Sequence, residues 1–381
     1  MQTRDLPIIH LSGSPRQRGR VHGESLRPQI HEHVRRHYDY VADYFGQKPD
    51  DYLNRFAAWS RHADYLALHA PDLLEEVEGL AEGAGLSRRQ ALLMQLVDEE
   101  WAFGFYTMRP ARPRQKCTAF GVTGANGTHA GQNMDVPPFL DGLQALLHIR
   151  DEETGVTSLV FTVAGLIGLC GVNSAPLGLC CNALNQLTPG PTGMPVSFLV
   201  RHLLAQGSFA DAVRCLMNSR HATGQNYVLA GPGQVRSFEC SAGRVVEHVD
   251  PEAVHFTCHT NHVLASGDLD RYEALMREIP ADERPTYRNS GQRFASMRNR
   301  LLAAGTDITL DDLKAALSAH DDPLNPVSRT ERDVKGSAIG FTAGSVIYAL
   351  DQGPTLHVAS GPPCQTPYEA VDVHTGRRLA R

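Results

Sequence analysis

The chain has 381 residues, enough for one large domain or two medium ones, and its 42% hydrophobic and 20% charged residues are ordinary for a globular enzyme. Lys and Arg number 36 against 42 Asp and Glu, a formal net charge of −6, and no basic block runs long enough to track a phosphate backbone. This argues against nucleic acid as a partner. No apolar stretch at the N-terminus reaches signal-peptide length, and nowhere do about 18 apolar residues run together, so the expectation is a cytoplasmic protein without a membrane partner.

Residues 14–101 read as helical. Ser14-Pro15-Arg16-Gln17 supplies an N-cap, a proline at the first helical position and a capping-box glutamine. Gly19 and Gly23, four apart, would let that helix approach a neighbour closely. Tyr40, Val41, Tyr44 and Phe45 continue an apolar stripe, and Ser87-Arg88-Arg89-Gln90 repeats the capping signature. Asp98-Glu99-Glu100 reads as a solvated helix end. MRPARPRQK, residues 108–116, with two prolines and four basic residues, reads as an exposed linker that stops at Cys117.

After Cys117 strand patterns take over. They fall at 118–122, 158–163, 178–183, 226–229, 235–240, 255–258, 345–350 and 355–359. Helical segments intervene near 195–218, 268–278, 287–304 and 309–319. The last is capped by Thr309 with Asp312 at the capping-box position. A helical piece followed by a mixed, strand-rich body is therefore expected.

The eight cysteines are Cys117, Cys170, Cys180, Cys181, Cys215, Cys240, Cys258 and Cys364; none forms a C-x-x-C pair, and reduced thiols are expected. His259 and His262 flank Asn261, but no third ligand has matching spacing, so neither metal nor cofactor is expected. Position singles out Cys117. Asn126-Gly127 is a strong hairpin signal, and a two-residue loop there sets Thr118 opposite Asp135 and Cys117 opposite Val136. A carboxylate thus comes to the end of the strand that Cys117 opens, although strict alternation puts the two side chains on opposite faces. Were the chain cut between Lys116 and Cys117, the new α-amine, of pKa about 7.7–8.0, would be a base within the same residue as the thiol. The plainer alternative is that Cys117 merely opens a core strand.

LSGSPRQRGRVHGESL, CTAFGV with GTHAGQNMDV, GLCGVNSAPLGLCCNAL, CHTNHV, NPVSRTE and GSVIYAL with LHVASGPPC follow one another over residues 11–368. In that order they resemble the acyl-coenzyme A:isopenicillin N (6-aminopenicillanic acid) acyltransferase family, relatives of choloylglycine hydrolase and penicillin V acylase. The resemblance implies an α+β, four-layer αββα sandwich of the N-terminal-nucleophile type. It also implies self-cleavage into a helical small chain, 1–116, and a catalytic body, 117–381, that stay associated, with a homo-oligomer possible. It places the nucleophile at Cys117, the aspartate beside its amine at Asp135 and an oxyanion-hole asparagine at Asn261. It puts a backbone donor to that hole at Asn173 and the serine-arginine pair at Ser328-Arg329, with Arg332 as the alternative arginine. A serine of processing falls on Ser241. Two stretches depart from the family pattern: Lys116, where a small residue is common, and VDEEWAF, residues 97–103.

The favoured activity is hydrolysis of a small-molecule N-acyl amide through a Cys117 thioester. Acyl-coenzyme A-dependent N-acyl transfer is the alternative, though no coenzyme A motif is visible. A binding protein that kept the fold and lost the chemistry is a third reading, against which Cys117, Asp135, Asn261 and Arg329 together argue.

Overall fold

In the computed structural model, which describes residues 6–108, 117–330 and 340–380, neighbouring residues of one strand fall in different apolar layers. Helices α1 to α7 span Pro15–Ser25, Arg27–Phe45, Pro49–Trp59, His62–His69, Pro71–Ala84, Arg88–Gln95 and Val97–Met108. Helices α8 to α12 span Val196–Leu204, Phe209–Asn218, Asp270–Glu278, Arg288–Ala304 and Leu310–Leu317. Strands β1 to β7 span Ile8–Leu11, Thr118–Gly124, Gly127–Val136, Gln144–Arg150, Thr157–Val163, Cys170–Asn173 and Gly178–Ala183. Strands β8 to β14 span Gln225–Gly231, Gln234–Cys240, Val245–His248, Phe256–His259, Phe341–Ala349, Thr355–Ala359 and Glu369–Asp372.

The strands form two sheets, β1-β4-β5-β6-β7-β8-β9-β10 and β11-β2-β3-β12-β13-β14. Leu146, Leu159, Cys180 and Val228 of the first sheet share a core with Ala119, Met134, Val346 and Tyr348 of the second. Their neighbours Leu147, Val160, Cys181 and Leu229 turn the other way, onto α5, α8 and α9. On the far side of the second sheet Phe120, Val122 and Ile347 meet Met297 and Leu301 of α11 and Leu313 and Leu317 of α12. Helix, sheet, sheet, helix: the architecture is the expected α+β, αββα sandwich.

The N-terminal segment is more than helical. β1 adds to the first sheet in parallel with β4, and α1 lies against α5 so closely that a Cβ on Gly19 or Gly79 would overlap the opposing backbone. Both capping boxes form, at Ser14 and Ser87, as does the one at Thr309. Glu76 of α5, fully buried, receives Arg18 of α1 and Arg201 of α8, the latter at 3.0 Å through Nη2. Burial alone would raise that carboxyl, but Arg201 and then Arg18 bring it below the ordinary value. The first turn of α7 is not solvated: Glu99 and Glu100 are buried, because α7 continues to Met108 and lies against the body. Among the described residues no helix is long and apolar enough to cross a membrane.

The β2–β3 hairpin forms two residues out of the expected register. Gly124 pairs with Gly127 and Thr118 with Asn133, so the loop is Ala125-Asn126. Tertiary contacts decide this. Ala125 N–H donates to Thr306 O at 2.8 Å, and Asn126 Nδ2 donates to Asp307 O and Ile308 O at 2.9 and 3.0 Å. Asn126 is thereby spent on the approach to α12, and Gly127 takes up the positive φ of 97°. A shift of two keeps every side chain on its expected face. The linker 109–116, with Lys116, and Arg332 lie outside the described residues.

Candidate active site

The new register stands Cys117, one residue before β2, beside Met134, and the two side chains share a face. Cys117 Sγ lies 3.7 Å from Met134 Sδ and 3.8 Å from the backbone O of Asp135. The Asp135 carboxylate points to the opposite face, as alternation requires. There Thr342 Oγ1 donates to Asp135 Oδ1 at 2.7 Å. Thr342 is fixed in turn by Arg329, whose N–H donates to Thr342 Oγ1 at 2.9 Å and whose O accepts from Thr342 N–H at 3.1 Å. A register shift in β12 between Thr342 and Gly344 sets this rung apart from the regular ladder.

The residue that ties the site together was not among the candidates. Arg293, on the buried face of α11, donates from Nη1 to Cys117 O at 2.6 Å and to Thr118 Oγ1 at 2.8 Å. From Nη2 it donates to Asn261 Oδ1 at 3.1 Å, and from Nε to Asn289 Oδ1 at 2.9 Å. Burial lowers its pKa to about 10 despite the opposing pull of Asp135, with Arg329 adding to the fall, so it stays charged at neutral pH. The signal was in the sequence: Ser290, Arg293, Met297 and Leu301 form one buried stripe at helical spacing, and an arginine in such a stripe needs partners.

Asn261 follows β11, on a loop held from two sides. Its N–H donates to Ser290 Oγ at 2.7 Å and its Nδ2 to Ala183 O at 3.0 Å. Glu239 of β9, buried, accepts from the N–H groups of Leu264, Ala265 and Ser266 and bonds His259 Nε2 at 2.9 Å. His262 turns to Ser290 Oγ at 2.8 Å. Both histidines that flank Asn261 are thus structural pins of its loop.

Three candidates do other work. Asn173 bridges the end of α8 to the β6–β7 turn: its Nδ2 donates to Leu204 O and Gln206 O, and its Oδ1 accepts from Ala175 and Leu177. Its own N–H is spent on Leu177 O at 3.0 Å, which leaves it unable to serve an oxyanion there. Ser241 organises the β9–β10 turn, accepting from Gly243 and Arg244 and donating to Asp268. Ser328 Oγ accepts from Cys364 N–H at 3.4 Å, while Arg329 Nε donates to Gly340 O at 2.9 Å. Arg329 also acts on the site through its charge beside Arg293.

Burial pushes the Cys117 thiol well above its ordinary range, and the charge of Asp135 pushes it further. At neutral pH the Cys117 thiol therefore keeps its proton. A nucleophile in such a place needs a base that acts in the same step. Among the described residues no group of three or more His, Cys, Asp and Glu is arranged to hold a metal ion.

A family model described as acyl-coenzyme A:6-aminopenicillanic acid acyl-transferase matches residues 122–342, more than half of the chain. The 40 kDa form of acyl-coenzyme A:6-aminopenicillanic-acid-acyltransferase from Emericella nidulans is 26% identical over 196 residues, 51% of this chain and 52% of that one. The chain thus spans about half the length of this relative. Among solved structures, a Caenorhabditis elegans orthologue of N-acylethanolamine-hydrolyzing acid amidase aligns with a TM-score of 0.42 at 15% identity, over 61% of this chain and 92% of its own. Penicillin V acylase from Agrobacterium tumefaciens aligns at 0.43 and 14%, over 68% and 87%. A mutant conjugated bile acid hydrolase from Clostridium perfringens aligns at 0.44 and 12%, over 70% and 97%.

Proposed function

The chain belongs to the acyl-coenzyme A:6-aminopenicillanic acid acyl-transferase family, and from that premise we propose that it is a self-processing cysteine amidohydrolase acting on small N-acyl amides. The observation that carries this reading is the meeting of Cys117, Asp135 and Asn261 around Arg293.

In the first reaction Cys117 Sγ attacks the carbonyl carbon of residue 116. The C–S bond forms, the C–N bond to Cys117 breaks, and the thiol proton passes to the departing amine. Water then hydrolyses the thioester, which releases the carboxyl of residue 116 and restores the thiol. Residues 1–116 stay on the body through β1 and the Glu76–Arg201 pair. In the second reaction the freed α-amine takes the thiol proton as Cys117 attacks an amide substrate, and returns it to the leaving amine. Asp135 balances the ammonium that forms in between.

Arg293 holds the Cys117 carbonyl, which aims the new N-terminus, and fixes Asn261 by its Oδ1. That hold sets the Asn261 amide hydrogens: one goes to Ala183 O, the other remains for an oxyanion. Water as acyl acceptor makes a hydrolase. The family's name favours a second reading, in which an amine accepts the acyl group.

The test is the denatured mass of fresh protein beside Cys117→Ala. Two chains of about 13 and 29 kDa, dividing 41.7 kDa by length, with the larger starting at Cys117 and the variant whole, are expected. One uncut chain in both would remove the α-amine from the mechanism. Product formed only when an amine is added would replace hydrolysis by transfer.

A further inference from the structure

One buried carboxylate closes the loop that carries Asn261. Glu239 stands on β9 of the first sheet, while β11, from which the loop departs, is an edge strand of the second. Glu239 bridges the two. Its Oε1 accepts from Leu264 N–H at 2.6 Å, and its Oε2 from the N–H groups of Ala265 and Ser266 at 3.0 and 2.6 Å. On the other side of Asn261, His259 Nε2 meets Oε1 at 2.9 Å. The loop is thus gripped two residues before Asn261 and three residues after it, by a fully buried side chain.

The partners of His259 set its charge. Nδ1 lies 2.8 Å from Thr260 O, and Nε2 faces a carboxylate that already takes three N–H groups. A carbonyl and a carboxylate accept and do not donate, so both ring nitrogens carry protons and His259 is an imidazolium. Burial alone would raise the Glu239 carboxyl, but His259 and then the backbone N–H groups bring it below its ordinary value. Burial first and the charge of His259 second lower His248 of β10 and His262, the latter to about 4. Burial and then Glu239 raise the Cys240 thiol. These three neighbours are neutral at neutral pH, so the charges of the clasp are those of Glu239 and His259, with Arg293 beyond Asn261.

We propose that Glu239 and His259 are positioning residues for amide hydrolysis at Cys117, a buried ion pair that holds Asn261 where its remaining amide hydrogen meets the oxyanion. The proposal rests on the reading of Asn261 as an oxyanion donor in a cysteine amidohydrolase. Ser290, Ala183 and Arg293 hold Asn261 itself. The ion pair holds the backbone on both sides of it, and a displacement of about 1 Å at a reacting group costs up to about 10²-fold in rate.

The experiment is a double-mutant cycle on kcat and KM for acetyl and butanoyl p-nitroanilide, with wild type, Glu239→Gln, Asn261→Ala and the pair, each checked by its melting curve. Glutamine fills the same space without the charge. Glu239→Gln should lower kcat about 10- to 10²-fold with KM nearly unchanged, and should lower it no further once Asn261 is alanine. The wild-type-to-variant ratio of kcat should widen as pH rises from about 5.5 to about 8, because His259 without the carboxylate gives up its proton. The α-amine of Cys117 titrates in both proteins and cancels from the ratio. His259→Gln, which offers Glu239 an N–H without a charge, should show the same coupling to Asn261 and stands in if Glu239→Gln does not fold. Losses that multiply in the double variant, or a ratio flat with pH, overturn the proposal and leave the amidohydrolase standing. A second readout needs no turnover. In nitrogen-15 spectra of the histidine rings, the signals that vanish in His259→Gln should report two protonated nitrogens at pH 7. Absence of hydrolysis of any amide sinks the amidohydrolase, whereas a bare His259 nitrogen overturns the ion pair whatever the turnover.

Discussion

Glu99 should make the protein less stable as pH rises through neutrality, and Glu99→Gln should remove that dependence. The carboxyl is fully buried in α7; Oε1 accepts from Val196 N–H at 3.0 Å, and Oε2 has no hydrogen-bond partner. Burial, and after it the charge of Asp98, carries its pKa from 4.5 up to about 8, against the smaller opposing effect of the Val196 N–H. A carboxyl raised by folding binds its proton more tightly in the folded chain than in the unfolded one. Below pH 4.5 both states hold the proton and nothing is lost. Between pH 4.5 and 8 the unfolded chain releases it first, and stability falls by about 1.4 kcal/mol per pH unit. The full fall, reached above pH 8, is on the order of 4–5 kcal/mol, a large share of the about 5–15 kcal/mol typical of a domain. Glutamine keeps the Oε1 acceptor for Val196 and does not titrate. Urea unfolding of Cys117→Ala, with and without Glu99→Gln, at pH 5, 6, 7 and 8.5 and constant ionic strength, reads the effect. The two curves should separate by several kcal/mol towards pH 8.5. Parallel curves would show that Glu99 is ionised at no cost, and the burial argument would be wrong.

Arg293→Ala strands Cys117 O, Thr118 Oγ1, Asn261 Oδ1 and Asn289 Oδ1 without their donor; at about 1–3 kcal/mol for each buried group left unpaired, it should melt far below the wild type in calorimetry. Arg293→Lys keeps the charge but not the fork, and it should fold while slowing the proposed self-cleavage, read as the fraction of intact chain over time. Asn261→Ala should lower kcat by about 10²–10³, with the melting temperature checked in parallel; an unchanged kcat would remove Asn261 from the oxyanion hole. Arg201→Ala leaves Glu76 with only Arg18 for its buried charge, and a loss of about 3–5 kcal/mol in urea unfolding is expected.

Sequence reasoning put Cys117, Asp135 and Asn261 forward as candidates, and the structure brings them near one another, because a linker that ends at a cysteine, a hairpin signal and a family motif are all local or ordered features. It did not reach Arg293, which comes 176 residues after Cys117 and touches it through a backbone carbonyl. Only packing of α11 on the second sheet brings the two together. The hairpin shift has the same origin: Asn126-Gly127 favours its own two-residue loop, but the Thr306–Ile308 carbonyls offer more bonds to a loop set one step earlier. Asn173 matched a motif, yet four hydrogen bonds to its side chain commit it to a turn. Helix caps and buried strands were legible because they depend on neighbours in the chain. β1 was not, because four residues at the N-terminus become a strand only against β4.

The parallel pairing of β1 with β4 also decides what the edge of the first sheet presents. β4 reads QALLHIR, with six buried residues and a charge only at Arg150. Stripped of β1, it would present a bare row of amides and carbonyls on an apolar strand, the template on which other chains build amyloid-like stacks. Residues 8–11 thus cover the apolar rim of the first sheet through the backbone bonds that β1 makes to β4.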